Sequence, residues 1–531
     1  MQDMREDTGL AAEQALPSTA EDYDSLPYRS VAYAASSPEN VAALARLFGQ
    51  EPVSPDRARV LELGCASGGN ILPLAIRFPN ARFQGIDLSR GQVEQAQARI
   101  KALGLKNIEI RYGDIATETF DEAAFDYMIV HGVWSWIPEA AQDAVFAIAR
   151  RSLVPGGLAY ISYNTYPGWH MRQTVRDLCS YHAGVQGRPE LRVARARWLL
   201  DKLGAMRERG LYSDLFRQEA ELNARQPDSY ILGEFLADHN SPCYFHEFVS
   251  RAQTHGLAFL CEADLAASIP ETQDTTTAKL IREIAGDSGL AIEQYMDFFT
   301  GRQFRRSILM RPATDGAVAR GLALVQMSGL HMAANWRPHP KDAGCWTFKS
   351  AKSQASPTDQ IVFAALHTAA PGTVPVTDLM QALHRAGLVR TEADAARALG
   401  DLFRLSLLPG VELLALPRKV GRASDSKPEV CPLARLEAAT GQDWLSSRRH
   451  APVAVQAGLR ALVPQIDGTR DRVALERMIV QAIENGGLRR GGQTVGAELD
   501  QKARAAMAQE LVSEFLAWLE QAGLLLPQIE S

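Results

Sequence analysis

The ten residues Leu61-Glu62-Leu63-Gly64-Cys65-Ala66-Ser67-Gly68-Gly69-Asn70 constrain this chain more than any others. The apolar run Arg59-Val60-Leu61-Glu62-Leu63 predicts a short strand, and residues 70–78 predict a helix. The glycines between them allow a tight turn and a close approach of backbone to ligand. Strand, glycine-rich turn and helix in that order predict the first βα turn of a doubly wound sheet, where ligands bind beyond the carboxyl ends of the strands. The spacing is E-x-G-x-A-x-G, whereas a loop for pyrophosphate reads G-x-G-x-x-G. An acid at the strand end, with Ala66 in place of the middle glycine, suits a cationic ligand better than a pyrophosphate. Taken alone, the motif also fits a glycine turn with no ligand.

The following pattern supports the sheet. Strands are predicted at 81–86, 107–111, 125–130 and 158–163, with helices at 91–103 and 139–153, the latter closed by Pro155-Gly156-Gly157. This alternation predicts an α/β fold, a Rossmann-like parallel sheet with helices on both faces. Beyond Pro167-Gly168 the sequence reads as largely helical to about residue 300, with Leu191, Ala194 and Trp198 at helical spacing and a strand at 307–310. Two later helical blocks, 357–417 and 453–527, are each short enough for a winged-helix-like unit. The domain expectation is a disordered N-terminus at 1–20, a Rossmann-like core at 21–170 and a helical insert with a middle domain at 171–310. A linker at 311–350 and C-terminal winged-helix-like domains at 351–531 complete it.

Composition narrows the partners. A net charge of −6 over 531 residues gives no global footprint for nucleic acid, so none is expected as a partner. The six cysteines are scattered without C-x-x-C spacing, which argues against a disulfide framework or a structural zinc. The acidic N-terminus lacks an apolar signal region, and no apolar run is long enough to span a bilayer. A cytoplasmic protein without stable membrane insertion is expected. His239, Cys243 and His246 have suggestive spacing, but Asn240-Ser241-Pro242 interrupts any helix between them, and no metal is expected.

Two further acids complete a constellation. Asp87 ends the second strand in Gly85-Ile86-Asp87-Leu88-Ser89, where a carboxylate accepts from ribose hydroxyls. Asp114, in Tyr112-Gly113-Asp114-Ile115, is placed to accept from an adenine amino group, with Ile115 packing on the ring. S-adenosylmethionine, with its sulfonium and amino group, fits this set.

The order Glu62-x-Gly64, Asp87, Asp114 and Pro155-Gly156-Gly157 resembles the class I S-adenosylmethionine-dependent methyltransferases over residues 23–165. The resemblance implies cofactor contacts from Tyr28, Glu62, Gly64, Cys65, Ala66, Gly68, Asn70, Asp87, Leu88, Gln92, Asp114, Ile115 and His131. The segment Tyr23 to Ser30 either folds over the cofactor as a lid or docks as a plain N-terminal strand. Trp134, Tyr163, Asn164, Tyr166 and Trp169 form a concentration of aromatic and amide groups expected to line an acceptor pocket. Such a pocket favours a neutral lysine amine by desolvation and attracts methylated ammonium through aromatic faces.

The runs HGVWSW, YNTYPGW, residues 239–248, 295–306 and 467–472 extend the resemblance. They are similar to bacterial methyltransferases with a regulatory domain, among them the rickettsial lysine methyltransferases of outer-membrane proteins. That implies a helical dimerisation insert, which leaves room for a homodimer, and a protein lysine as acceptor. The C-terminal blocks, without a basic face, suit docking of a protein better than DNA. A small-molecule or lipid methyltransferase and a cofactor-binding regulatory scaffold stay open as alternatives.

Overall fold

The computed structural model describes residues 29–184, 187–314, 320–485, 489–490, 493–494 and 499–528. Tyr28 and the 1–20 stretch lie outside these residues. Seven strands form one sheet: β1 (Arg59–Leu63), β2 (Arg82–Asp87), β3 (Ile108–Tyr112), β4 (Phe125–Val130), β5 (Leu153–Asn164), β6 (Ala258–Glu262) and β7 (Phe304–Met310). The order is β3-β2-β1-β4-β5-β7-β6, with the first five parallel and β7 antiparallel to both β5 and β6. The order reverses between β1 and β4, which places the switch point at the ends of Leu63 and Val130. Every position of β4 is buried, as a central parallel strand requires. Its one acid, Asp126, is neutralised by Arg59 at 2.9 Å.

Two compact units are distinguished, and the larger comprises Ser30–Asp87, Val93–Arg172 and His239–Ser531. In it, helix α1 (Pro38–Leu47) begins at Ser37, whose side chain accepts from the Asn40 N–H, with Pro38 at the first helical position. Ala42, Ala43, Ala45 and Leu47 are fully buried, so α1 is enclosed all round instead of showing one apolar stripe. Backbone bonds flank it: the Ala415 N–H donates to Glu39 O at 3.0 Å and the Ala323 N–H to Leu47 O at 2.7 Å. One apolar cluster runs from Val41, Val60 and Ile71 through Met332 and Leu413 to Val430 and Leu525. The sheet and the C-terminal region therefore share a core.

On the sheet's other face, α3 (Glu139–Ser152) contributes Val145, Phe146 and Ala149, and α4 (Phe245–Thr254) contributes Phe245, Phe248 and Val249. The short helix between β1 and β2, α2 (Ile71–Arg77), precedes both. The antiparallel extension is locked from inside. Arg305 on β7 has no solvent exposure and lies 3.1 Å from Glu262, 3.2 Å from Glu293 and 2.8 Å from Asp297, the last two on α5 (Gly289–Thr300). Its guanidinium also sits 4.0 Å from the centroid of the Phe245 ring.

The C-terminal region is winged-helix-like, as expected. His331–Ala334 is the central strand of a three-stranded sheet, paired with Val374–Pro375 and Val411–Leu414. Further on, the strands Trp444–Ser446 and Pro452–Ala454 form a hairpin whose connection carries His450.

The smaller unit contains Leu88–Gln92 and Gln173–Asp238. Its helices Pro189–Gly204, Leu211–Asn223 and Asp228–Leu236 are tied by buried Arg192, which donates to the carbonyls of Gly184 and Leu236, both at 3.1 Å. Large apolar side chains stay exposed on it, among them Tyr181, Trp198, Leu211, Tyr212 and Leu222. Among the described residues, no helix is long and apolar enough to cross a membrane.

Candidate functional site

At the switch point the chain makes the turn that its glycines permit. Gly64, Ala66 and Gly68 have φ of 70°, 47° and 78°, a left-handed region in which only Ala66 bears a Cβ. The Gly64 and Cys65 N–H groups both donate to Ile86 O, which binds the turn to β2. A Cβ on Gly64 would meet Val133 at 2.5 Å, so the turn and the segment after β4 close on one another. Asp87 Oδ2 accepts from the Ala66 N–H at 2.7 Å, which stabilises the strained alanine. Paired register sets Glu62 opposite Gly85 and Asp87 opposite Tyr112, so the acids follow one another along the carboxyl edge. Asp114 lies two residues past β3, exposed, with Oδ1 accepting from the Ala116 N–H; Ile115 is half-buried against the apolar cluster of Leu61, Leu63 and Val130.

Glu62 is almost fully buried. Its Oε1 accepts from Asn70 Nδ2 at 2.7 Å, while Oε2 has no hydrogen-bond partner among the described residues. Burial raises its pKa to about 8; the Asn70 bond opposes the rise and Asp87 adds to it. A buried, half-satisfied carboxylate fits a ligand that brings a cationic amino group. Leu88 and Gln92 belong to the smaller unit; Leu88 is exposed, and Gln92 is buried with its N–H donating to Ser89 Oγ.

His131, just beyond β4, is enclosed by groups the sequence did not single out. The Tyr33 ring lies against it, tilted by 32° with centroids 3.7 Å apart, Tyr160 Oη lies 3.0 Å from Nδ1, and Phe304 approaches edge-on. Burial, aided by Arg306, lowers its pKa to about 3, so the ring is neutral. Burial, with Glu62 as a second cause, raises that of Tyr33. The segment before α1 crosses the glycine turn: the Gly69 N–H donates to Ser30 Oγ at 2.8 Å, and a Cβ on Gly69 would meet Ser30 O at 2.2 Å.

The five expected acceptor residues are not gathered into one pocket. Tyr163 is enclosed in the core, stacked on Phe248 at 3.9 Å and edge-on to Trp134 at 5.7 Å, with its hydroxyl 3.2 Å from Ser307 Oγ. Trp134 and Trp169 are equally buried, under the guanidinium groups of Arg251 and Arg172 respectively. As placed, these three rings pack the interior and do not line an open face. Asn164 alternates to the opposite face of β5 from Tyr163 and donates from Nδ2 to Asn240 Oδ1 at 2.9 Å. Tyr166 is half-buried and stacks on His170 at 3.9 Å beside Tyr244. Of the residues with metal-like spacing, His246 Nδ1 lies 2.9 Å from Gln294 Oε1, and Cys243 makes backbone bonds with Asn164 and Tyr166.

Comparison with known proteins identifies three family regions. Residues 60–157 match a model described as "Methyltransferase domain", 227–311 one described as "Predicted methyltransferase regulatory domain", and 426–524 one described as "PKMT, C-terminal winged helix domain". The chain is 29% identical to the Rickettsia prowazekii protein RP789 over 94% of its own length and 92% of that protein's. It is 32% identical to RP028 of the same organism over 44% of its own length and 93% of that protein's. The solved structure of PKMT2 from Rickettsia typhi shares the fold, with a TM-score of 0.81 at 23% identity, covering 94% of this chain and 100% of that one.

Proposed function

Because the chain belongs to the S-adenosylmethionine-dependent methyltransferases that carry a methyltransferase regulatory domain, we propose that it methylates lysine side chains of a protein. When bound, S-adenosylmethionine supplies an electrophilic methyl group on a sulfonium. The chain's own residues bind and orient. Glu62 Oε2 takes the cofactor's amino group, Asp87 the ribose, and Asp114 with Ile115 the adenine; the turn at 64–68 lets the backbone approach. The observation that carries this assignment is the buried carboxylate of Glu62 with one oxygen unpartnered, at the switch point of the sheet.

An acceptor lysine would have to arrive as the neutral amine, whose lone pair would bond to the methyl carbon in line with the breaking carbon–sulfur bond, with the thioether as leaving group. The rings around His131, with Tyr160 buried, Tyr33 half-buried and Phe304 at the exposed edge, favour loss of the ammonium charge by desolvation. The neutral His131 adds no positive charge against it. Support for lysine comes from the winged-helix region, whose family description names PKMT, and from the likeness to PKMT2.

The test is incubation of the full chain with labelled cofactor and cell-envelope extract, followed by mass spectrometry. Methylated lysine in a protein is expected, and Asp87→Ala lowers the rate by about a hundredfold or more, as loss of two charge-assisted ribose bonds would. Label found only in small molecules or lipids would sink the lysine reading. The homodimer is proposed on the apolar exposure of the smaller unit, where Tyr181 is 91% and Leu211 68% exposed. Sedimentation should show a dimer, and Trp198→Glu with Leu211→Glu should yield monomers; unchanged mass in the double variant would remove this interface.

A further inference from the structure

The cofactor turn has a polar contact with a residue 380 positions away. Asn70 precedes α2 and its amide is fully engaged. Oδ1 accepts from the Tyr33 N–H at 3.0 Å and lies 2.9 Å from His450 Nε2. Nδ2 donates to Glu62 Oε1 at 2.7 Å and to Ser36 Oγ at 3.1 Å. An amide oxygen only accepts, so His450 Nε2 must carry its proton. Burial, with Arg77 as a second cause, lowers the pKa of His450 to about 3, and the ring is the neutral tautomer.

His450 is also held in place deliberately. It sits at φ 54°, unusual for a residue with a Cβ, in the connection of the 444–454 hairpin. The flanking loop is pinned to the catalytic core: Arg77 Nη1 donates to Arg448 O at 2.8 Å, and Arg77 pairs with buried Glu39 at 2.6 Å. The donors on Oδ1, the Tyr33 N–H and His450 Nε2 with Ser36 Oγ at 3.2 Å, determine which end of the Asn70 amide faces Glu62. Without His450, one of them is lost, and the amide is freer to rotate away from the carboxylate.

We propose that His450 is a positioning residue of the cofactor site, fixing Asn70 so that Asn70 engages Glu62 Oε1 and leaves Oε2 for the cofactor's amino group. The C-terminal winged-helix region thereby completes the cofactor site of the catalytic core. This rests on the reading that Glu62 receives that amino group.

Equilibrium binding of two ligands to the full chain separates positioning from simple support. S-adenosylhomocysteine carries the amino group; 5′-methylthioadenosine lacks the whole amino-acid end. His450→Ala is expected to weaken the first by about tenfold and leave the second within about twofold of the unaltered chain. Asn70→Ala does the same, and the double variant is no worse than Asn70→Ala alone, because both act along one path. His450→Gln, which keeps a donor, recovers most of the loss. Equal weakening of both ligands by His450→Ala, or additive losses in the double variant, overturns the proposal. Glu62→Gln tests the reading beneath it. If Glu62→Gln selectively weakens S-adenosylhomocysteine and His450→Ala does not, the role of His450 falls alone. If Glu62→Gln shows no selectivity, both fall. Should His450→Ala not fold, His450→Phe, of similar volume and without a donor, is measured in its place.

Discussion

Glu62 holds its proton more tightly in the folded chain than in the unfolded one. Burial is the main cause, and it lifts the pKa from 4.5 to about 8. A carboxyl raised in this way contributes stability that is fully present below about pH 4.5 and lost as pH rises through about 8. Glu62→Gln should therefore raise Tm, and the gain should widen from about pH 5 to about pH 9; a gain independent of pH would contradict the assignment. Ligand linkage follows from the same group. At neutral pH, binding a cationic amine at Glu62 should expel a proton, detectable by calorimetry in buffers of different ionisation heat and absent in Glu62→Gln. At this scale the sequence was informative where chemistry is local: Glu62, Asp87 and Asp114 each sit at or just past a strand end that the apolar pattern reveals. Tyr33, Ser36, Tyr160 and His450 carry no such mark, because what defines them is contact across tens or hundreds of residues.

The antiparallel pair β6 and β7 depends on a buried charge cluster. Burial opposes the charge on Arg305, but Glu293 and Glu262 outweigh it and raise its pKa. Removing the cation would leave Glu262, Glu293 and Asp297 only their outer partners, Arg302 at 3.2 Å from Asp297 and 3.9 Å from Glu262 and Arg320 at 3.8 Å from Glu293. Arg305→Met should cost about 3–5 kcal/mol, read as a fall in denaturant midpoint; a loss below about 1 kcal/mol would show that the carboxyls reprotonate at little cost. The five parallel strands were legible from their apolar runs between helical segments. Strand β6 was not, since Ala-Phe-Leu-Cys-Glu within a helical stretch is too short to separate strand from helix by period. Strand β5 runs longer than its apolar part, from Leu153 through Pro155-Gly156-Gly157, because Leu153 already pairs with Phe125 of β4 across a register shift, before pairing with β7 begins at Leu158. Aromatic content misled at this level too: Trp134, Tyr163 and Trp169 looked like a binding face, whereas Phe146 and Phe248 enclose the first two.

Across the molecule, acid should be more damaging than net charge suggests. His131 and His450 both have pKa values pushed down to about 3 from 6.5. Groups lowered in this way contribute stability that is complete above about pH 6.5 and lost as pH falls toward 3. Replacing both with glutamine should flatten the fall in Tm between about pH 6.5 and 4; an unaltered slope would place the sensitivity elsewhere. The enclosed helix α1 carries a different consequence. Its alanines touch the sheet and the C-terminal region within one apolar cluster, so neither side has a finished surface without the other. In genetic terms, a premature stop codon far downstream of Asp114 should behave as a null allele, even though every strand-end acid is still encoded.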